Sequence, residues 1–151
     1  MRLNYFKESL RFKFPAGTSR GVLLNKPSWV LHLEDEPSLR GECSIIPGLS
    51  PDYQSEEEYE QKIRWVCETF NKLIRSENQQ RVLSFFCKEL KSFPSILFGI
   101  ETLIFNFNLD KGENPFKSPF SEGNEGILIN GLIWMGSEEH ILKQIKEKVK
   151  D

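Results

Sequence analysis

Arg20 is the first side chain in this sequence with an evident chemical use. It follows two hydroxyl residues and precedes a glycine, Thr18-Ser19-Arg20-Gly21, in a stretch that opens Pro15-Ala16-Gly17. Gly and Pro at both ends predict a loop. A guanidinium on such a loop could clamp a carboxylate bidentately; the plainer alternative is a solvated arginine at a hairpin-type loop. The second candidate is Pro47-Gly48-Leu49-Ser50. With Pro51 behind it, this is a stiff loop that could present Leu49 to a ligand, or a strand-to-helix connection with Leu49 packed on the core.

Other chemistry-bearing residue types are thin. His32 and His140 have no Cys or His at metal-ligand spacing. Glu34-Asp35-Glu36 and Glu56-Glu57-Glu58 read as a turn and a helix start, not as the alternating carboxylates of a calcium loop or the buried pair of an acid–base site. Gly123-Asn124-Glu125-Gly126 precedes an apolar run, whereas a phosphate loop must follow a strand. There is no nucleophile–base set. Taken alone, the chain is expected not to be an enzyme.

The elements that would position these loops follow from periodicity. Leu10, Phe12 and Phe14 alternate with Arg11 and Lys13, and Trp29, Leu31 and Leu33 alternate with Val30 and His32. Both patterns predict half-buried strands. Leu39 to Ile46 is a third strand with Gly41, Cys43 and Ile45 on one side, and the short polar turns favour an antiparallel meander. Ser55 with Glu58 forms a capping box for a helix carrying Ile63, Val66, Cys67, Phe70, Leu73 and Ile74. A shorter helix carries Val82, Leu83, Phe86 and Leu90. A third starts at Ser92-Phe93-Pro94, with proline in the first turn, and has a wide apolar stripe from Ile96 to Phe107. Asn108 to Gly126 reads as a linker or long surface loop.

The end of the sequence is different in kind. Ile127 to Met135 (ILINGLIWM) is apolar at nearly every position, a pattern that expects cover on both faces as in parallel α/β sheets. A Gly136-Ser137 turn and a helix with Ile141, Leu142, Ile145 and Val149 follow. A βα unit of this kind needs a parallel neighbour, and nothing before Ile127 offers one. The chain therefore reads as an α+β domain joined to the opening of an α/β domain.

Composition bounds the function. The 151 residues carry 20 Lys and Arg against 22 Asp and Glu, a formal charge of -2, and 12 Phe with 3 Trp. That supports a real core and gives no electrostatic footprint for nucleic acid or an anionic membrane. Charges at Arg2, Lys7, Glu8, Arg11 and Lys13 leave no apolar signal-peptide region. Three cysteines without a CxxC argue against disulfides or zinc and for buried free thiols in a reducing, cytoplasmic setting.

Three segments in order resemble one family. Gly41-Glu42-Cys43-Ser44-Ile45-Ile46-Pro47-Gly48-Leu49-Ser50 is similar to the GE…P-G-[FL]-S segment of o-succinylbenzoate synthases. Pro94-Ser95-Ile96-Leu97-Phe98-Gly99-Ile100-Glu101 resembles their P-S-x-x-F-G-[IV] helix start, and Ile129-Asn130-Gly131-Leu132 resembles the entry to their first barrel strand. These enzymes belong to the enolase superfamily. The resemblance implies a capping domain (1–108), a linker (109–126) and the first strand and helix of a (β/α) barrel (127–151).

The implied activity is dehydration of the menaquinone precursor SHCHC to o-succinylbenzoate. In the family a lysine of a Lys-x-Lys pair removes the proton α to a carboxylate, acidic residues on later strands hold Mg²⁺, and a further lysine balances the charge. All of these would lie beyond Asp151, so the resemblance implies no catalytic or metal-binding residue here, and Lys143, Lys146, Lys148 and Lys150 are not that pair. Its partners would be a small carboxylate substrate and the rest of the barrel. What carries over is two loops that shape the substrate pocket: Thr18, Ser19, Arg20 and Gly21, and Pro47, Leu49 and Ser50. Trp134 joins them because barrel chemistry sits at the C-terminal ends of the strands. The alternatives are another superfamily enzyme (a muconate cycloisomerase, dipeptide epimerase or N-acylamino acid racemase) or a stand-alone α+β binding domain.

Overall fold

The computed structural model describes residues 1–18, 21–109, 114 and 116–149. They fall into two compact units, one built from Met1–Lys13 with Asn25–Leu109, the other from Phe14–Leu24 with Asp110–Asp151.

The first unit is α+β. Strands β1 (Leu3–Thr18), β2 (Gly21–Leu33) and β3 (Arg40–Ser44) form a sheet in that order. β2 and β3 are antiparallel, with Trp29 opposite Cys43 and Leu31 opposite Gly41. The strand pleat sends Trp29, Leu31 and Leu33 inward, while Val30 and His32 are only partly buried. Against this face lie α1 (Glu56–Leu73), α2 (Gln79–Glu89) and α3 (Pro94–Phe107). Ser55 caps α1 by accepting from the Glu58 amide at 3.2 Å, with Glu56, Glu57 and Glu58 in the positive first turn. Asn78 caps α2 in the same way at 3.0 Å. Tyr59, Ile63, Val66 and Phe70 of α1, Val82 and Phe86 of α2, and Ile96, Ile100 and Leu103 of α3 complete the core. The outer strand β1 is closed at its start by Asn71, whose amide accepts from Leu3 N–H at 2.7 Å and donates to Leu3 C=O at 2.9 Å.

Two glycines let α3 lie directly on β3. A Cβ on Gly41 would overlap the Gly99 carbonyl, and one on Gly99 would sit 2.5 Å from Cys43 Sγ. Both glycines belong to the segments that carry the family resemblance. Their role is close packing of helix on strand.

The structure corrects the loop expected over Pro15 to Gly21. Thr18 ends β1 and Gly21 begins β2, so the strands run on through that segment and only residues 19 and 20 separate them. Pro15 is tolerated because β1 is an edge strand, and Pro27 because the β3 ladder stops at Ser28. Leu10 and Phe14 are exposed at 44% and 72%, where a half-buried strand was expected.

Residues 127–135 are also corrected. They form no strand among the described residues. A strand is held by a ladder to a neighbour, and no described strand lies in register with this segment; Gln144 instead takes both main-chain groups of Trp134, accepting from its N–H at 2.8 Å and donating to its C=O at 2.9 Å. Helix α4 (Glu138–Lys148) forms as expected, capped by Ser137. Its apolar stripe is not buried: Leu142 and Ile145 are exposed, and so are Ile127, Leu128, Ile129, Leu132 and Met135.

Candidate functional site

In the second unit, Phe14, Pro15, Trp134, Met135, Gly136, His140 and Gln144 line a mostly apolar cleft of about 490 Å³. Three local features build it. Thr18 Oγ1 donates to Gly21 C=O at 2.8 Å and closes the hairpin tip, while Gly21 at φ 130° supplies a backbone conformation that side chains disfavour. Gly17 lets the hairpin approach the terminal segment, since a Cβ there would stand 3.3 Å from Met135 Cβ. The Gln144 amide holds the Trp134 backbone, and Gly136 leaves room for the His140 ring, 2.9 Å from where its Cβ would be. Thr18 and Gly21 thus share a unit with Trp134. Ser19 and Arg20 lie outside the described residues.

The Pro47–Ser50 loop belongs to the first unit. Leu49 N–H donates to Ile46 C=O at 3.0 Å across Pro47 and Gly48, and Gly48 has φ 77°. Proline then glycine with positive φ is what a type II turn requires at its two central positions. Ser50 Oγ accepts from Ile46 N–H at 2.9 Å, so its hydroxyl oxygen holds the loop closed. Leu49 is 41% exposed and so is not the core residue its plainer reading expected.

Sequence reasoning missed what anchors this loop. Asp52, only 8% exposed, accepts from both the Ser95 amide (2.9 Å) and the Ser95 hydroxyl (2.5 Å). Tyr59 OH lies 2.5 Å from Ser95 Oγ. Ser95 gives its one hydroxyl proton to the carboxylate, so Tyr59 is the donor in that second bond. Burial pushes the Tyr59 phenol up, which keeps it protonated for that role. The signal was present at Phe93: the N-cap of α3 has no capping side chain, so the helix must borrow an acceptor from elsewhere.

Electrostatically the described residues are built for structure. Burial pushes the Cys43 thiol up and the Cys67 thiol up to about 12, which makes both poor nucleophiles. A hydrogen bond from the Ser28 hydroxyl at 2.6 Å, with Lys26 nearby, holds Glu42 below the usual carboxylate range. Among the described residues no group of three or more His, Cys, Asp or Glu is placed to hold a metal ion. No described helix is long and apolar enough to cross a membrane.

Against known proteins, the chain is similar to an o-succinylbenzoate synthase from Desulfotalea psychrophila, 32% identical over 176 aligned residues. The match covers 99% of this chain and 46% of that protein, so the chain spans about half the length of the curated relative it matches. No family model matches the chain. No solved structure gives a significant match. With the motif glycines seated between α3 and β3 and the Pro-Gly turn formed as its residues demand, an identity that runs from end to end makes the chain a homologue of the N-terminal portion of an o-succinylbenzoate synthase.

Proposed function

We propose that this chain is the N-terminal part of a Mg²⁺-dependent o-succinylbenzoate synthase that dehydrates SHCHC to o-succinylbenzoate in menaquinone biosynthesis. The observation that carries the reading is the 32% identity, over 99% of the chain, to an enzyme of that name. In this reading residues 1–108 are the capping domain, 109–126 a linker, and 127–151 the first strand and helix of a barrel, with 127–135 taking up the strand only when a neighbouring barrel strand pairs with it. The apolar residues left exposed from Ile127 to Met135 and on α4 are what neighbouring barrel elements would cover.

The chain's own contribution is to shape and close the substrate pocket. In the first unit, Leu49 is held out on a hydrogen-bonded turn, where its side chain is free to meet a substrate. In the second unit, Phe14, Trp134 and Met135 form an apolar wall, and Arg20, which follows Thr18 and Ser19 in sequence, is the residue that would pair with a substrate carboxylate. Apolar walls exclude water and strengthen the interactions that hold a charged substrate. Mg²⁺ would supply stabilisation of negative charge on the carboxylate as the α proton leaves. Among the described residues no group of three or more His, Cys, Asp or Glu is placed to hold that ion; in this reading barrel residues of the longer protein would hold it.

The test is steady-state kinetics of the full-length protein with Mg²⁺, using SHCHC and an N-acylamino acid as competing substrates. Dehydration of SHCHC with the higher kcat/KM is expected. Racemisation of the amino acid without dehydration would keep the superfamily and overturn the substrate.

A further inference from the structure

We propose that Asp52 is a positioning residue that fixes the pose of Leu49 through Ser95 and Tyr59. The inference rests on the reading of Pro47–Ser50 as a wall of the substrate pocket and goes beyond it by naming what sets that wall. Pro47, Gly48 and Leu49 are all exposed, so no burial of their own holds them. Inside the loop the chain is closed by hydrogen bonds: Leu49 and Ser50 amides to Ile46 C=O, Ile46 amide to Ser50 Oγ, and Tyr53 amide to Ser50 C=O at 3.3 Å. That makes 46–53 a stiff unit whose placement depends on its two ends. At the entry, Ile45 is buried beside β3. At the exit, the buried Asp52 carboxylate is bonded to the first turn of α3, and Tyr59 extends the network to α1. Tyr53, next in sequence, packs its ring 5.5 Å from Tyr59 and 6.2 Å from Trp29. Three elements thus converge on the exit of a loop that would otherwise pivot at Ile45. Leu49 is preorganised, and binding spends little ordering it.

The experiment uses the full-length protein and two readouts, amide hydrogen exchange at Leu49 and Ser50 and the kinetics of SHCHC dehydration. Bonds to a charged acceptor of this kind predict that Asp52→Ala speeds exchange at Leu49 roughly ten-fold or more, with Asp52→Asn in between because it keeps one acceptor. In kinetics, Asp52→Ala lowers kcat/KM by roughly ten-fold, as a misplaced pocket wall would. Placed on a Leu49→Ala background, it changes kcat/KM by less than about two-fold, because the side chain it positions is gone. Unchanged exchange in both Asp52 variants overturns the anchor. Equal kinetic effects of Asp52→Ala in the parent and in the Leu49→Ala background overturn its action through Leu49. Leu49→Ala with parental kinetics and faster exchange in Asp52→Ala overturns the pocket reading and this proposal with it, while leaving the network intact.

Discussion

Replacing Gly99 by alanine puts a methyl group into the tightest contact between α3 and β3. The new Cβ would stand 2.5 Å from Cys43 Sγ, 3.3 Å from the Glu42 carbonyl carbon and 3.4 Å from the Cys43 nitrogen. Overpacking of this kind costs about 1–3 kcal/mol. Alanine for glycine inside a helix returns about 0.8–1 kcal/mol. The net expectation for Gly99→Ala is a loss of about 0–2 kcal/mol, read as about 2–4 °C in Tm per kcal/mol for a chain of this size. The decisive comparison is with Cys43→Ala. Alone, it removes a buried sulfur and costs about 1 kcal/mol. Together with Gly99→Ala it vacates the space the new methyl needs, so the double variant should be no less stable than Cys43→Ala alone. The coupling should favour the pair by about 1–2 kcal/mol. Gly41→Ala serves as the contrast: the three atoms nearest its Cβ are all backbone atoms of Gly99, so Cys43→Ala does not relieve that overlap. Urea denaturation followed by far-UV circular dichroism measures all of these. Additive effects in the double variant, or a Gly41→Ala protein as stable as the parent, would refute the close-packing account.

The other expectations concern the loops, the terminal segment and pH. Arg20→Ala in the full-length enzyme should raise KM or lower kcat/KM; kinetics equal to the parent's would return Arg20 to a solvated role. Gln144→Leu should free the Trp134 backbone and speed exchange of the Trp134 amide roughly ten-fold, a change that hydrogen-exchange mass spectrometry would detect or rule out. The Cys67 thiol is raised from 9.0 to about 12 in the fold. The unfolded chain therefore loses that proton first, and stability is full below pH 9 and falls as pH rises toward 12, by about 1.4 kcal/mol per pH unit for the group. Cys67→Ala should flatten the alkaline limb of the stability curve; a limb of unchanged slope would count against the burial of that thiol.

What could be read from the sequence was whatever is decided within a few residues. Ser55 as the N-cap of a helix, Pro94 in a first turn and a loop at Pro47 to Ser50 are decided locally, and each forms as its residues require. The loop expected over Pro15 to Gly21 failed because Pro15 and Gly17 punctuate locally, while strand pairing is decided across the chain. An edge strand accommodates a proline that a central strand would reject. The segment from Ile127 to Met135 shows the reverse. Its pattern is that of a two-sided strand, but a ladder needs a neighbour, and the Gln144 amide occupies the Trp134 backbone instead. Leu49 could not be placed because one apolar residue in a polar loop has no periodicity to read. Asp52 was invisible for a related reason: its partner Ser95 is 43 residues away.

The claim that this chain covers a catalyst rather than being one is tested most directly by SHCHC dehydration with Mg²⁺, measured side by side for the full-length protein and for residues 1–151. Turnover by the full-length protein and none by residues 1–151 is the predicted result. Measurable turnover by residues 1–151, or none by the full-length protein, would contradict it.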